Sequence, residues 1–252
     1  MMTHHSDVLI VGGGPAGSTI GALLAQRGEN VVLVEKDVHP RFHIGESLLP
    51  MNLPLFEELG VKDAIDRVGM TKYGVEFVSP WHDKTTMLDF AQSWDKRLFY
   101  SYQVRRSEFD QILWHNAAAR GAHAIEGCRI SQVEFPSEGG VVATGEDCDG
   151  QARRFEAKFL VDASGRDTLL AGRLALKQRN RRHASAAVFV HFTGARRLPG
   201  KAEGNISIFW FDHGWFWFIP LADGATSVGA VCPPEFMKSR KTDITSFLAS
   251  LI

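Results

Sequence analysis

DVLIVGGGPAG, residues Asp7 to Gly17, is the stretch that decides the fold of this chain. Val8-Leu9-Ile10-Val11 is a continuous apolar run of strand formers, the pattern of a strand buried on both faces of a parallel sheet. Three glycines follow at once, and Ala16 to Arg27 reads as a helix. Strand, glycine turn and helix make the dinucleotide-binding pattern G-x-G-x-x-G at Gly12, Gly14 and Gly17. Gly12 allows the tight turn off the strand, Gly14 lets the backbone approach a pyrophosphate, and Gly17 lets the helix pack against the strand. The unpaired N–H groups of the first helical turn, with Ala16 among its residues, favour an anion. Pro15 has no N–H to leave unpaired there.

Outward from this stretch, Gly28 is placed to stop the helix and Val31-Val32-Leu33-Val34 reads as the second strand. Glu35 stands at the end of that strand, about 20 residues past the glycines, where a carboxylate binds the ribose hydroxyls of an adenosine. Lys36 to Pro50 is too polar for a core strand and is expected to be a loop passing beside the nucleotide. Leu53, Leu55, Phe56 and Leu59 predict a short helix within Met51 to Gly60.

Lys72 to Ser79 alternates, with Tyr73, Val75 and Phe77 on one face. Trp81 to Tyr102 holds two more strand-like pieces. Ser107 to Arg120 has helical spacing, with Ser107 as the expected N-cap and Glu108 and Asp110 in the first turn. Ala122 to Asp162 returns to strand, and Phe159-Leu160-Val161 is expected to rejoin the parallel sheet. Ala186 to Phe192, Ile206 to Phe211 and Trp215 to Ile219 are further strands rich in aromatics and valine. The fold class expected is α/β: a Rossmann-like dinucleotide domain, with a parallel sheet flanked by helices and a β-meander, interrupted by a β-sheet substrate domain. Its expected limits are 1–72 with 103–180 for the first domain, and 73–102 with 181–252 for the second.

A chain of 252 residues with a formal charge of −1 has room for such a core and no excess of basic residues, so nucleic acid is not an expected partner. The local exception, Arg179-Asn180-Arg181-Arg182, reads as a solvated loop or as a docking point for an acidic carrier protein. Cys128, Cys148 and Cys232 are odd in number and widely spaced, which predicts free thiols in a reducing compartment and no metal site. No Lys or Arg precedes the first apolar run, so a signal peptide is not expected. The densest apolar stretch, Ile206 to Leu221, is broken by Asp212-His213-Gly214, so no membrane span is expected. A cytoplasmic protein is the expectation.

Four stretches resemble the FAD-dependent halogenases among the flavoprotein monooxygenases with a single dinucleotide site. They are Gly12 to Gly17 with Glu35; Phe42-His43-Ile44-Gly45-Glu46-Ser47-Leu48-Leu49-Pro50; Val161-Asp162-Ala163-Ser164-Gly165; and Gly214-Trp215-Phe216-Trp217-Phe218-Ile219-Pro220. The last is similar to the signature Gly-Trp-x-Trp-x-Ile-Pro at every fixed position, and the likeness is closer to the phenol and pyrrole branch than to the tryptophan branch. Period-2 alternation puts Trp215, Trp217 and Ile219 on one face, either as a wall that keeps organic substrate from the flavin or as ordinary core aromatics.

The resemblance implies that Gly12, Gly14, Pro15, Ala16, Gly17, Glu35, Lys36, Glu46, Ser47, Arg106, Asp162 and Gly165 serve FAD. Arg105 is the alternative to Arg106, and Glu46 either meets the flavin or caps the next helix. It implies that Lys72, just ahead of its strand, is the catalytic amine that receives hypohalous acid, and that Trp215 and Trp217 belong to the catalytic centre. It further implies reduced FAD supplied by a flavin reductase, dioxygen, chloride or bromide, and an electron-rich aromatic substrate, free or on a carrier protein. Family members are about twice this length, and the second FAD motif, the halide segment and the acidic partner of Lys72 are absent, so a piece of a longer coding sequence is expected. A related FAD monooxygenase without halide chemistry, or a non-catalytic FAD-binding fragment, are the other readings.

Overall fold

In the computed structural model, which describes residues 2–178, 180 and 184–252, the opening apolar run ends strand β1 (Met2–Val11) and leads into helix α1 (Pro15–Gln26). The chain continues through β2 (Val31–Val34), α2 (Leu53–Glu58), α3 (Lys62–Val68), β3 (Met70–Lys72), β4 (Gly74–Ser79), β5 (Lys84–Asp89) and β6 (Ser101–Gln103). Next come α4 (Arg106–Ala119), β7 (His123–Ile125), β8 (Cys128–Glu134), β9 (Val141–Asp147), β10 (Ala152–Asp162) and α5 (Leu169–Arg173). The last elements are β11 (Ala186–Thr193), β12 (Ile206–Phe211), β13 (Gly214–Pro220), β14 (Ala225–Cys232), α6 (Pro234–Lys238) and α7 (Ile244–Leu251). Two compact units result: Met1–Ile44 with Phe56–Ile65 and Arg106–Gln178, and Gly45–Leu55 with Asp66–Arg105 and Arg179–Ile252. The fold is α/β and of Rossmann type in its first unit.

That unit is built on a sheet of order β7-β2-β1-β10-β9-β8. Its first four strands run parallel, and β9 and β8 add an antiparallel meander. Both faces of β1 are covered, which is why its apolar run does not alternate. Ile10 and Leu33 face α1 so closely that a Cβ on Gly21 would lie 3.5 and 3.6 Å from them. Leu9, Val11, Val32 and Val34 pack on the other face with Ile130, Val141, Ala143 and Phe155. Each of the larger side chains among them contributes about 1.5–3 kcal/mol on burial, so an unpaired charge in their place would destabilise the sheet.

Two expectations are corrected here. Strand β1 starts at Met2, well before Asp7, because β10 supplies a parallel partner along its whole length, from Met2 opposite Arg153 to Val11 opposite Asp162. Helix α4 begins at Arg106, so Ser107 lies inside the first turn and is not the N-cap, and Asp110 is fully buried.

The early part of β1 carries a titration. The His4 ring stacks on Phe155 at 5.1 Å and lies 5.4 Å from His123, and its Nε2 is buried without a hydrogen-bond partner. Burial first, then the charges of His123 and Arg153, hold its pKa below the ordinary 6.5. A depressed folded value means the unfolded chain takes the proton first, so His4 contributes stability above pH 6.5 that is lost as pH falls from there through its folded pKa. Urea midpoints at pH 8 and pH 5 test this: the loss on acidification should shrink in His4→Phe.

The second unit contains a sheet of order β11-β14-β13-β12-β4-β5 and the ribbon β3-β6. Strand β14, which lies between β11 and β13, was not among the expected strands. Lys72 stands ahead of β4, which begins at Gly74, and it also ends β3, a strand that was not expected, directly opposite Ser101 of β6. The break before β4 is made by Asn205, whose Oδ1 accepts from the backbone N–H groups of Tyr73 (2.8 Å) and Gly74 (2.9 Å). Phe216, Val188, Val228 and Ala230 form one face of the larger sheet with Phe247 and Leu248 of α7. Helix α7 is N-capped by Asp243, which accepts from the N–H groups of Thr245 and Ser246 at 3.0 Å. Among the described residues no helix is long and apolar enough to cross a membrane.

Candidate functional site

At the C-terminal ends of β1, β2 and β10, the first unit encloses a cavity of about 700 Å³. This is the crevice in which open α/β sheets bind ligands. Gly12, Gly14, Pro15, Ala16, Glu35, Lys36, Arg106 and Gly165 all line it. The glycines at its mouth are required for different reasons. Gly12 has φ +110°, and a Cβ there would sit 2.3 Å from the Ala163 carbonyl oxygen. A Cβ on Gly17 would sit 1.8 Å from the Gly12 oxygen, so this glycine sets the contact of α1 with the turn. Gly13, absent from the sequence argument, is needed because the Trp114 ring lies 2.5 Å from where its Cβ would be. Gly14 differs: its φ is −74° and the sole neighbour of an added Cβ is Arg41 Nη2 at 3.6 Å. Nothing in the protein crowds a Cβ at position 14, so the backbone there stands open to the cavity.

A buried ion network forms the floor. Glu35 accepts from Gly13 N–H (2.6 Å) and Asp37 N–H (3.1 Å), and Arg41 Nη2 lies 3.3 Å from it. Arg41 Nη1 donates to Asp110 at 2.9 Å. Arg106 grips the same carboxylate through Nε (2.7 Å) and Nη2 (3.0 Å) and donates from Nη1 to the Ile44 carbonyl at 2.9 Å. Asp110 thus orients two guanidiniums, and Arg41 keeps one buried donor, Nε, without a partner. An unpaired buried donor is costly and is a fitting contact for an anion.

The loop after β10 closes one side. Asp162 is drawn into that loop and accepts from Ser164 N–H and Oγ and from Leu170 N–H. Burial alone would raise its pKa, but those hydrogen bonds hold it below the usual carboxylate value. Lys36 pairs with Asp167 across the opening. The donors suit a dinucleotide diphosphate: open glycine backbone, a helix N-terminus and an orphaned guanidinium N–H; the Glu35 carboxylate at the end of β2 is an acceptor suited to ribose hydroxyls.

The second unit buries a different group. Lys72 is 1% exposed, donates from Nζ to Ser47 Oγ at 2.5 Å, and lies 5.8 Å from the Phe90 ring centre. Burial pushes its pKa down to about 8. Ser47 and Gln103 form a bridge, and Lys72 faces Ser101, so pairing puts all four side chains on one side of the ribbon. Ser101 Oγ and Gln103 Oε1 are buried without partners. On β13, Trp215 and Trp217 share a face with ring centres 6.1 Å apart. The Trp217 indole donates to Ser227 Oγ at 3.1 Å and lies over Gly229, where a Cβ would be 2.2 Å from the ring. Glu46 caps no helix; its Oε1 is 2.7 Å from His191 Nε2.

A sequence model described as "FAD binding domain" matches residues 5–244. The chain belongs to this FAD-binding family. It is similar to the tryptophan 2-halogenase of Chondromyces crocatus, 38% identical over 240 residues that cover 94% of this chain and 45% of that protein. It is also similar to the 1H-pyrrole-2-carbonyl-[peptidyl-carrier protein] chlorinase of Pseudomonas fluorescens, 32% identical over 92% of this chain and 56% of that protein. Among solved structures it matches the myxobacterial chondrochloren halogenase CndH, an FAD-dependent halogenase, with TM-score 0.85, 32% identity, and coverage of 99% of this chain and 57% of that one. The chain spans about half the length of the curated relatives it matches.

Within this FAD-binding protein, of the two candidate arginines Arg106 lines the cavity, while Arg105 pairs with Asp223 at 2.5 Å. Gly17 and Asp162 shape the turns beside the cavity. Lys72, Ser47, Glu46, Trp215 and Trp217 all belong to the second unit. Sequence reasoning gave no role to Gly13 and Trp114, and placed Arg41 and His43 only within the loop beside the nucleotide. Asp110, read there as a dipole residue, is the anchor of two arginines. The thiols of Cys128, Cys148 and Cys232 are free. Of the basic cluster, Arg179, Arg181 and Arg182 lie outside the described residues.

Proposed function

We propose that this protein holds FAD in the cavity of its first unit and takes part in halogenating an electron-rich aromatic. The observation that carries the reading is Lys72: a fully buried amine, lowered to about 8, in a chain whose relatives are halogenases. Bound reduced FAD would supply the electrons that activate dioxygen, which is the oxidant, with chloride or bromide as the halogen source. The protein's own part is binding and amine chemistry. Arg41, the α1 N-terminus and the Gly14 backbone would hold the diphosphate, with Glu35 toward the adenosine ribose.

Lys72 is the catalytic amine of this reading. Near neutral pH a group with a pKa of about 8 is partly neutral, unlike a solvated lysine. Its lone pair can take the halogen of a hypohalous acid, with loss of water, and pass it to the ring, whose displaced proton leaves. Ser47 holds the amine, and Trp215 and Trp217 form the aromatic wall. The two curated relatives are named for tryptophan and for a carrier-bound pyrrole, so the substrate class proposed is the electron-rich aromatic ring, free or tethered to a carrier protein. A flavin reductase is the proposed source of reduced cofactor.

The test supplies a flavin reductase, a reduced nicotinamide dinucleotide, FAD, dioxygen and chloride, and looks by mass spectrometry for exchange of hydrogen for chlorine on a phenol, a pyrrole and an indole. Rate should climb with pH toward about 8 as Lys72 deprotonates. Lys72→Met, which keeps the volume and removes the buried charge, should stay folded, keep FAD and lose at least about 10²-fold in rate. Oxygen insertion in place of chlorine would favour the monooxygenase reading instead.

A further inference from the structure

His43 lines the cavity together with Gly12, Gly14, Arg41 and Arg106. It lies on the loop after β2 and is exposed, so it helps to hold nothing in the core. Arg41 of the same loop and Arg106 of α4 face it, with Asp110 of α4, Glu35 at the end of β2 and Asp167 of the loop after β10 as the acidic groups in range. Those acids are already engaged. Asp110 is held by both arginines, Glu35 by Gly13, Asp37 and Arg41, and Asp167 by Lys36. With the cavity empty of anions, loss of water and the two guanidiniums keep the imidazole neutral, its pKa below 6.5.

We propose that His43 is a binding residue for the diphosphate of FAD and enters that role as an imidazolium, taking up a proton as the cofactor binds. The inference rests on the reading of this cavity as the FAD site. A diphosphate diester brings two negative charges that do not titrate between pH 6 and pH 8, and an opposite charge within about 4–6 Å favours the protonated ring. Protonation gives His43 two N–H donors beside Arg41 Nε. The proton reaches the ring from solvent, and no covalent bond changes.

Linkage then fixes the signs. Between the free and bound pKa values of His43, FAD affinity falls as pH rises. Discounted for the ring's exposure, affinity should weaken about three- to tenfold between pH 6 and pH 8. FAD affinity is measured by flavin fluorescence across that range. Heat of binding is measured at pH 7 in two buffers of different protonation enthalpy. The wild type should show the slope and a net proton uptake, and His43→Gln should show neither while keeping its melting temperature. Riboflavin, which lacks phosphate, should bind without a slope; a slope with riboflavin would move the proton to a ring contact and overturn the assignment. FAD binding that is tight and level with pH, or a slope retained in His43→Gln, would overturn the role of His43 and leave the cavity reading intact. Failure of FAD to bind at any pH would overturn the cavity reading and the inference with it.

Discussion

Gly14→Ala should leave the protein folded and strip it of FAD, whereas Gly17→Ala should cost it the fold around α1. The contrast follows from what each Cβ would meet. At position 14 the side chain enters the open cavity, and its single neighbour, Arg41 Nη2, is 3.6 Å away. The backbone there is extended with φ −74°, which alanine adopts freely. Stability should therefore change by under about 1 kcal/mol, the cost of a poorer N-cap residue. A methyl standing where a diphosphate must touch the backbone should weaken FAD about a hundredfold, or about 2.8 kcal/mol.

At position 17 the Cβ would be 1.8 Å from the Gly12 carbonyl oxygen. Neither side can yield, since Gly12 is itself held at φ +110° against Ala163. A loss above about 3 kcal/mol is expected, with FAD binding gone as a result. Chemical denaturation and a flavin titration on the two variants decide the matter. If Gly14→Ala binds FAD like the wild type, the cavity does not receive the diphosphate where proposed.

The second large effect is expected at Gly229→Ala, far in sequence from either motif. Trp217 stands directly opposite Gly229 in the β13–β14 register, and the added methyl would fall 2.2 Å from its Cζ2. The indole is tethered through Nε1 to Ser227 and flanked by Trp215 and Phe189 at 6.1 and 6.3 Å. It must therefore leave its site rather than tilt. Destabilisation of about 2–4 kcal/mol is expected from overpacking and the broken hydrogen bond, with a red shift of tryptophan emission. In the double variant with Trp217→Ala the clash is gone, so the two costs should fall well short of additive. Strict additivity would mean that the ring and the glycine do not share space.

These glycines bear on what could be read in advance. The turn at Gly12, Gly14 and Gly17 was legible because its cause is local: a strand, a turn and a helix within one short stretch. Gly13 was silent, since its reason is Trp114 on another helix. Strand β14 was overlooked for the same kind of reason. Its Gly229 and Ala230 dilute the strand pattern, and they are small because Trp217 and the Phe216 face fill the space around them. Strand β3, which Lys72 ends, was overlooked because alternation runs unbroken from Lys72 to Ser79, and nothing nearby announces the Asn205 clamp that divides it. Of Arg105 and Arg106 it is Arg106 that lines the cavity, held there by Asp110, one helical turn on and buried beneath it, a partner that the sequence did not single out.

Glu46 and Ser47 are neighbours in the chain, yet one holds His191 and the other Lys72. A single peptide link therefore gears two side chains that come from separate sheets. A substitution on β11 that shifts His191 is expected to be felt at the amine through that link. Reactivity at Lys72 should thus be sensitive to changes made on β11, a strand of the other sheet of this unit.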